Sequence, residues 1–344
     1  MKALSLLRLG SRAVCVLCVA CLLSSCMHDL CYNHDEHSSA VRVDTRFSWE
    51  LEWERNFSVD WEEIWKDHWN PTYDELRPRQ ATGVRAKLWH ESGRTDERHL
   101  PAQGGRLPMS EGTNEILFYN NDTEYIVYDG LVASSTAIAT TRPLPRGSFK
   151  ALHEGERTVN QPDMLYANYL EAYEAHVTFE PDLLPVTLHP LVYTYLVRYK
   201  FVEGLQYVAL ARGALAGMAE SVYLSDGHTG DAAATVMYDG TVEDFGVEAR
   251  VRCFGVPNYP GDHYTRGDGS PAHIALNLEV RMYNGKFKTF EFDVTEQVLS
   301  QPRGGIIIVD DLAITADEGG GGGGGFDVDV DGWGEQIDIP LPLG

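Results

Sequence analysis

The sequence predicts an all-β protein whose strands pack as β-sandwiches. Three observations carry this. Between residues 191 and 202, Tyr193, Tyr195, Val197, Tyr199 and Phe201 alternate with Thr194, Arg198 and Lys200, the period of a long half-buried strand. Ile274, Leu276, Leu278, Val280 and Met282 alternate in the same way with Asn277, Glu279 and Arg281. Gly, Pro and Asp punctuate the chain at short intervals and few helical periodicities compete, a pattern of many short strands in packed layers.

The chain opens with a basic start (Lys2, Arg8, Arg12) and an apolar run from Ala13 to Leu23 that is too short to span a bilayer comfortably. Leu23-Ser24-Ser25-Cys26 follows. Small residues directly before a cysteine admit a lipoprotein signal peptidase, so residues 1–25 are expected to leave and Cys26 to become the lipidated first residue. The chain is then expected to be held at a membrane face by its acyl groups. Residues 26–40 are polar and unpatterned, as a tether is; His28, His34 and His37 read as a solvated spacer rather than a metal site.

The formal charge is −23, and losing residues 1–25, with three basic and no acidic residues, takes it to −26. Such a chain repels nucleic acid and anionic membrane surfaces. Only Cys31 and Cys253 then remain beside Cys26. Cys253 shares a strand face with Val247, Ala249 and Val251 and reads as a small buried hydrophobe. The length after the signal suggests two domains, placed at 41–170 and 171–318.

In the first, Val41 to Phe47 alternates as a strand. The stretch to Trp69 holds five of the seven tryptophans, and Trp61, Trp65 and Trp69 fall four apart, one apolar face of a short helical insertion. That stripe reads first as packing against a sheet end or edge. The alternative is a platform stacking on sugars, which makes glycans the second candidate partner. Strand patterns resume at Gly83 to His90, Arg98 to Pro101 and Glu115 to Tyr119; Asn120-Asn121-Asp122-Thr123 reads as a hairpin connection. Residues 142–163 lack periodicity and set the boundary near residue 170.

In the second domain, strands are expected at Gln206–Ala211, Ser221–Leu224, Ala233–Tyr238, Val247–Phe254 and Phe287–Val294, besides the two alternating runs. The apolar run Ile306 to Val309 is expected to be central in its sheet. Residues 319–325 form a glycine joint, and 326–344 a terminal segment with strand character, free to dock on its own sheet or on a neighbour's.

Candidate chemistry is sparse. Asp327, Asp329, Asp331, Glu335 and Asp338, with Gly332, match the spacing of a calcium loop, although the last position is Asp and the flanks are not helical. Arg266-Gly267-Asp268 matches an integrin-binding tripeptide but sits in a glycine-rich loop that carries such triplets by chance. No nucleophile elbow, zincin motif, phosphate loop or dinucleotide fingerprint is present, so binding rather than catalysis is expected, with no cofactor.

Tyr119-Asn120-Asn121-Asp122-Thr123-Glu124, Val192-Tyr193-Thr194-Tyr195, Ala211 to Ala219, Phe254-Gly255-Val256-Pro257-Asn258 and the closing Phe326 to Asp338 resemble a family of Bacteroides-type outer-membrane lipoproteins of unassigned activity. That family is similar to the fimbrillin-like proteins and to anchor and accessory subunits of type V pili. The resemblance implies two tandem transthyretin-like (fimbrillin-like) sandwich domains and a surface-exposed, lipid-anchored place on the outer membrane. It also implies an adhesion-related role with fimbrial subunits as partners, joined by a donated strand. No arginine matches the family's proteolytic maturation point, which favours a lipid-retaining anchor or accessory subunit.

Overall fold

A computed structural model of the chain describes residues 40–54, 71–144 and 155–320. Cys26, the tether up to residue 39, the expected helix with Trp61, Trp65 and Trp69, most of the glycine joint and the Asp327–Asp338 segment lie outside the described residues.

The first ten strands are β1 (Ala40–Trp49), β2 (Gly83–His90), β3 (Thr95–Pro101), β4 (Gly104–Ser110), β5 (Gly112–Asn120), β6 (Ile126–Asp129), β7 (Ile138–Thr141), β8 (Arg157–Val159), β9 (Tyr166–Ala175) and β10 (Asp182–Pro190). Seven form one strongly bent sheet in the order β3-β2-β5-β9-β10-β1-β4. The bend makes it a sandwich. β9 and β10 pair only at Ala167↔His189 and Tyr166↔Pro190, so β4-β1-β10 folds over β3-β2-β5-β9. The chain turns the opposite corner between β3 and β4. There Gly104 has a positive φ and a Cβ would run into the Thr45 carbonyl oxygen, so only glycine fits. Val41, Val43 and Phe47 of β1, as their alternation predicts, meet Val84, Ala86, Leu88, Ile116 and Phe118 from the facing layer.

The remaining strands are β11 (Tyr193–Glu203), β12 (Val208–Ala219), β13 (Ser221–Tyr223), β14 (Ala233–Glu243), β15 (Gly246–Cys253), β16 (Ala275–Met282), β17 (Phe287–Asp293) and β18 (Gly305–Ala313), with short helices α1 (Thr295–Leu299) and α2 (Ala316–Gly319). Here β17-β16-β12-β14 packs over β15-β11-β18, and the β14–β15 hairpin forms the corner. The alternating Tyr195, Val197 and Tyr199 of β11 point into this core against Leu276, Leu278 and Val280 of β16.

The sandwiches are tied together three times. β6, β7 and β13, drawn from both halves of the chain, make a three-stranded sheet over a continuous apolar cluster containing Trp89, Tyr119, Leu165, Val192, Val222 and Phe254. β8 crosses over to pair with β14. The segment after β1 lies on the outer face of β11 and β18, where Trp53 is fully buried with Leu76, Leu196 and Ile306 and its carbonyl accepts Thr194 N–H at 2.7 Å. Burying that indole contributes on the order of 2 kcal/mol or more.

Three expectations change. Residues 116–128 are not a hairpin, because β5 pairs with β2 and β9 while β6 pairs with β7. Polar side chains peel the chain away: Asn120 bonds Tyr166 N–H and Met164 O, and Asp163 accepts the N–H groups of Glu124 and Tyr125. The expected division near residue 170 runs through β9, and the strands change sheet between Pro190 and Tyr193. Ile306 to Val309 lies in an edge strand rather than a central one. Its apolar character is used by the cover of Trp53 and Leu76 on one face and the core on the other.

Candidate functional site

An edge strand carries a row of backbone groups with no neighbour, so the edges decide what a sandwich can add to itself. Most edges here are protected. β3 reads Thr95-Asp96-Glu97-Arg98-His99, a charged stretch with Arg98 paired to Asp96 at 2.9 Å. β4 carries Pro108, which cannot donate. β6 and β8 are only four and three residues long.

β18 is closed by side chains. Gln301 accepts Ile306 N–H at 2.9 Å and donates to Ile306 O, and Gln297 accepts Ile308 N–H at 2.9 Å and donates to Ile308 O at 3.0 Å. Each carboxamide thus replaces one residue of a neighbouring strand. Further along, Asp311 takes a positive φ and the register with β11 shifts, so the edge twists away.

β17 is different. Val294 N donates to Ile274 O at 3.0 Å and Met282 N to Lys286 O at 2.8 Å, which assigns the even-numbered residues to β16 in an unbroken register. Phe287, Thr289, Glu291 and Asp293 therefore turn their N–H and C=O groups outward, and no backbone hydrogen bond reaches them from the described residues. Their side chains are exposed as well. Among the described residues, this regular seven-residue edge has no proline, bulge or covering segment.

The lower end of this edge is held by α2. Lys288 Nζ donates to Ala313 O at 2.9 Å and pairs with Glu318 at 2.8 Å, and Asn284 in the β16–β17 turn donates to Glu318 O at 2.7 Å. The Lys288 ammonium, with Thr315 N–H and hydroxyl, pulls the Glu318 carboxyl down to about 2. Gly319, the first residue of the expected joint, lies against the Tyr207 ring where a Cβ would collide. The chain thus reaches the joint directly beside the β16–β17 turn.

Of the other singled-out residues, Arg266 does not stand beside Asp268 as an exposed pair. Its guanidinium turns back to Glu156 at 3.2 Å and to His273 O at 3.1 Å, at the edge of a cavity of about 680 Å³. Asp268 instead accepts the N–H and hydroxyl of Ser270, which lower its pKa. Cys253 is buried, as its strand face predicts, and burial pushes its thiol up to about 12. Among the described residues no three His, Cys, Asp or Glu side chains gather as a metal site would, and no helix is long and apolar enough to cross a membrane. Sequence reasoning missed Gln297 and Gln301. Their only signal is two glutamines four apart just before an apolar run.

A family model described as a domain of unknown function (DUF5119) matches residues 69–239. No curated protein matches the sequence. Among solved structures, a proposed adhesin from Bacteroides ovatus is 20% identical, with 80% of this chain and 94% of that one covered at a TM-score of 0.53. Weaker likenesses include a proposed polysaccharide-binding protein from Bacteroides thetaiotaomicron (8% identical, 79% and 92% covered, TM-score 0.46). Another is the fimbrial anchor protein Mfa2 from Porphyromonas gingivalis (11% identical, 79% and 90% covered, TM-score 0.45). The chain therefore carries a DUF5119 match over residues 69–239 within the sandwich fold of the Bacteroides ovatus protein.

Proposed function

We propose that this chain is a cell-surface subunit that works by protein–protein binding, a fimbrial anchor or accessory protein held to the outer membrane by lipid on Cys26. The observation that carries the reading is that, among the described residues, the edge of β17 is open while the other edges are short, charged, proline-bearing or capped. An extended segment from a partner subunit adds there as a ninth strand of this eight-stranded sheet, main chain supplying affinity and the exposed Phe287 and Thr289 supplying side-chain contacts. The adhesin fold and the Leu23-Ser24-Ser25-Cys26 sequence support the same reading.

Cross-linked pull-down from solubilised outer membrane tests it. The wild-type chain is expected to recover fimbrial subunits, and Glu291→Pro, which removes an outward N–H without breaking a bond to β16, is expected to lose them. Equal recovery by both proteins, or mass spectrometry showing an unacylated Cys26, overturns the reading.

A further inference from the structure

A cleft of about 690 Å³ opens between the two sandwiches, far in character from the β17 edge. Its walls are the Glu75–Thr82 loop, Tyr166 at the start of β9, Thr194 of β11, and Arg250 and Arg252 of β15. Arg250 and Arg252 stand two apart on the same strand face, opposite Leu196 and Thr194.

The cleft is rich in donors although the chain has a formal charge of −23. Its carboxylates are already engaged. Glu75 accepts the N–H and hydroxyl of Thr72, at 2.7 and 2.9 Å. Asp122 accepts from Thr82 N–H at 2.7 Å and from Asn120 at 2.9 Å. Asp163 accepts from Glu124 and Tyr125 at 2.6 and 2.5 Å. The guanidinium groups of Arg79, Arg250 and Arg252 hydrogen-bond to no described residue. Arg252 is sunk into the wall, and burial lowers its pKa against the opposing pull of Asp163.

Tyr166 gives an independent sign of a missing ligand. It is 0% exposed, it lines the cleft, and its hydroxyl has no hydrogen-bond partner. A buried hydroxyl left unpaired costs about 1–3 kcal/mol, which a bound acceptor would recover. Burial raises its pKa, so the group stays a donor at neutral pH.

We propose that this cleft binds an acidic sugar unit, its carboxylate held by Arg250 and Arg252 and a ring oxygen accepting the Tyr166 hydroxyl. Two guanidinium forks suit a planar carboxylate better than any neutral group. The volume lies within the roughly 300–1,000 Å³ range of small-molecule sites and is far larger than a bare anion requires. Leu76, Pro78, Ala81 and Met164 give it an apolar wall for the body of a sugar ring. An extended peptide finds no edge here: β9 and β11 lie inside their sheets, and Arg252 N–H is taken by Gln161 at 2.9 Å.

Calorimetric titration of the full chain with glucuronic acid and N-acetylneuraminic acid tests this, with glucose, N-acetylglucosamine and inorganic sulfate as comparisons. At least one acidic sugar is expected to bind, the neutral sugars not measurably, and sulfate more weakly. Arg250→Gln, at an exposed position, is expected to weaken binding about tenfold, and Arg252→Gln at least as much. Tyr166→Phe is expected to weaken it severalfold while the free chain's thermal stability is not lowered and rises if anything, because the lost hydroxyl was buried without a partner. No binding by the wild-type chain, sulfate binding as well as the sugars, or binding indifferent to Arg250→Gln overturns the proposal. None of these results bears on the β17 edge, whose own test is the pull-down.

Discussion

Gln297 pairs with Ile308 as a strand would: its carboxamide accepts the Ile308 N–H at 2.9 Å and donates to the Ile308 carbonyl at 3.0 Å. Gln301 repeats the arrangement two residues earlier on β18, at Ile306. The two side chains close one edge of the second sandwich, and that closure is what singles out β17.

Removing either carboxamide reopens β18. Gln301→Ala is expected to destabilise the fold by about 1–3 kcal/mol, since Gln301 is 5% exposed and its loss strands two backbone groups. Gln297→Ala, at a more exposed position, costs less. Urea denaturation measures both. Size-exclusion chromatography should show the double variant associating through the exposed edge while the wild type does not.

Acid should loosen α2 before the core. Glu318 has its carboxyl lowered from 4.5 to about 2 by Lys288 and Thr315. A folded pKa below the unfolded one stabilises above the unfolded value and is lost as pH falls through the folded value. The Lys288–Glu318 link is therefore expected to persist above pH 4.5 and to fail between there and about 2. Carboxyl-carbon NMR of Glu318 reads this directly, and Glu318→Gln should abolish the step.

Alkali acts on the core through Tyr199 and Tyr238. Their hydroxyls hydrogen-bond each other, Tyr199 also donates to Asn277 O at 3.0 Å, and burial raises both pKa values above 10.0. Such groups stabilise fully below the unfolded pKa and progressively less as pH rises beyond it. Absorbance at the tyrosinate band is expected to show them silent until the chain unfolds, with stability falling above about pH 10. Tyr238→Phe, which leaves Tyr199 bonded to Asn277, is expected to cost about 1 kcal/mol.

Much of the fold is legible in period-two alternation, because a strand with one wet face must alternate. β1, β11 and β16 show it and pack as read. Legibility fails where the second face is also covered. Thr194 and Arg198 read as a solvated face, yet they are 7% and 8% exposed: the segment around Trp53 crosses over from the other sandwich and bonds Thr194, and Arg198 lies against Glu248 and Phe245. No local pattern announces that crossing. Asn120 to Thr123 has hairpin composition, but Asn120 and Asp163 spend their side chains on distant backbone. The open edge of β17 was hidden for the same reason: openness belongs to neighbours, and the Gln297 and Gln301 caps lie outside β17 itself.

Amide hydrogen exchange along β17 reads strand addition at this edge residue by residue. In the isolated chain the N–H groups of Thr289 and Glu291 are expected to exchange quickly while those of Phe290 and Phe292, bonded to β16, are protected. Adding the subunit recovered by pull-down should protect Thr289 and Glu291 in step with binding. Protection of both amides in the isolated chain, or a complex that leaves them exchanging freely, would contradict strand addition at this edge.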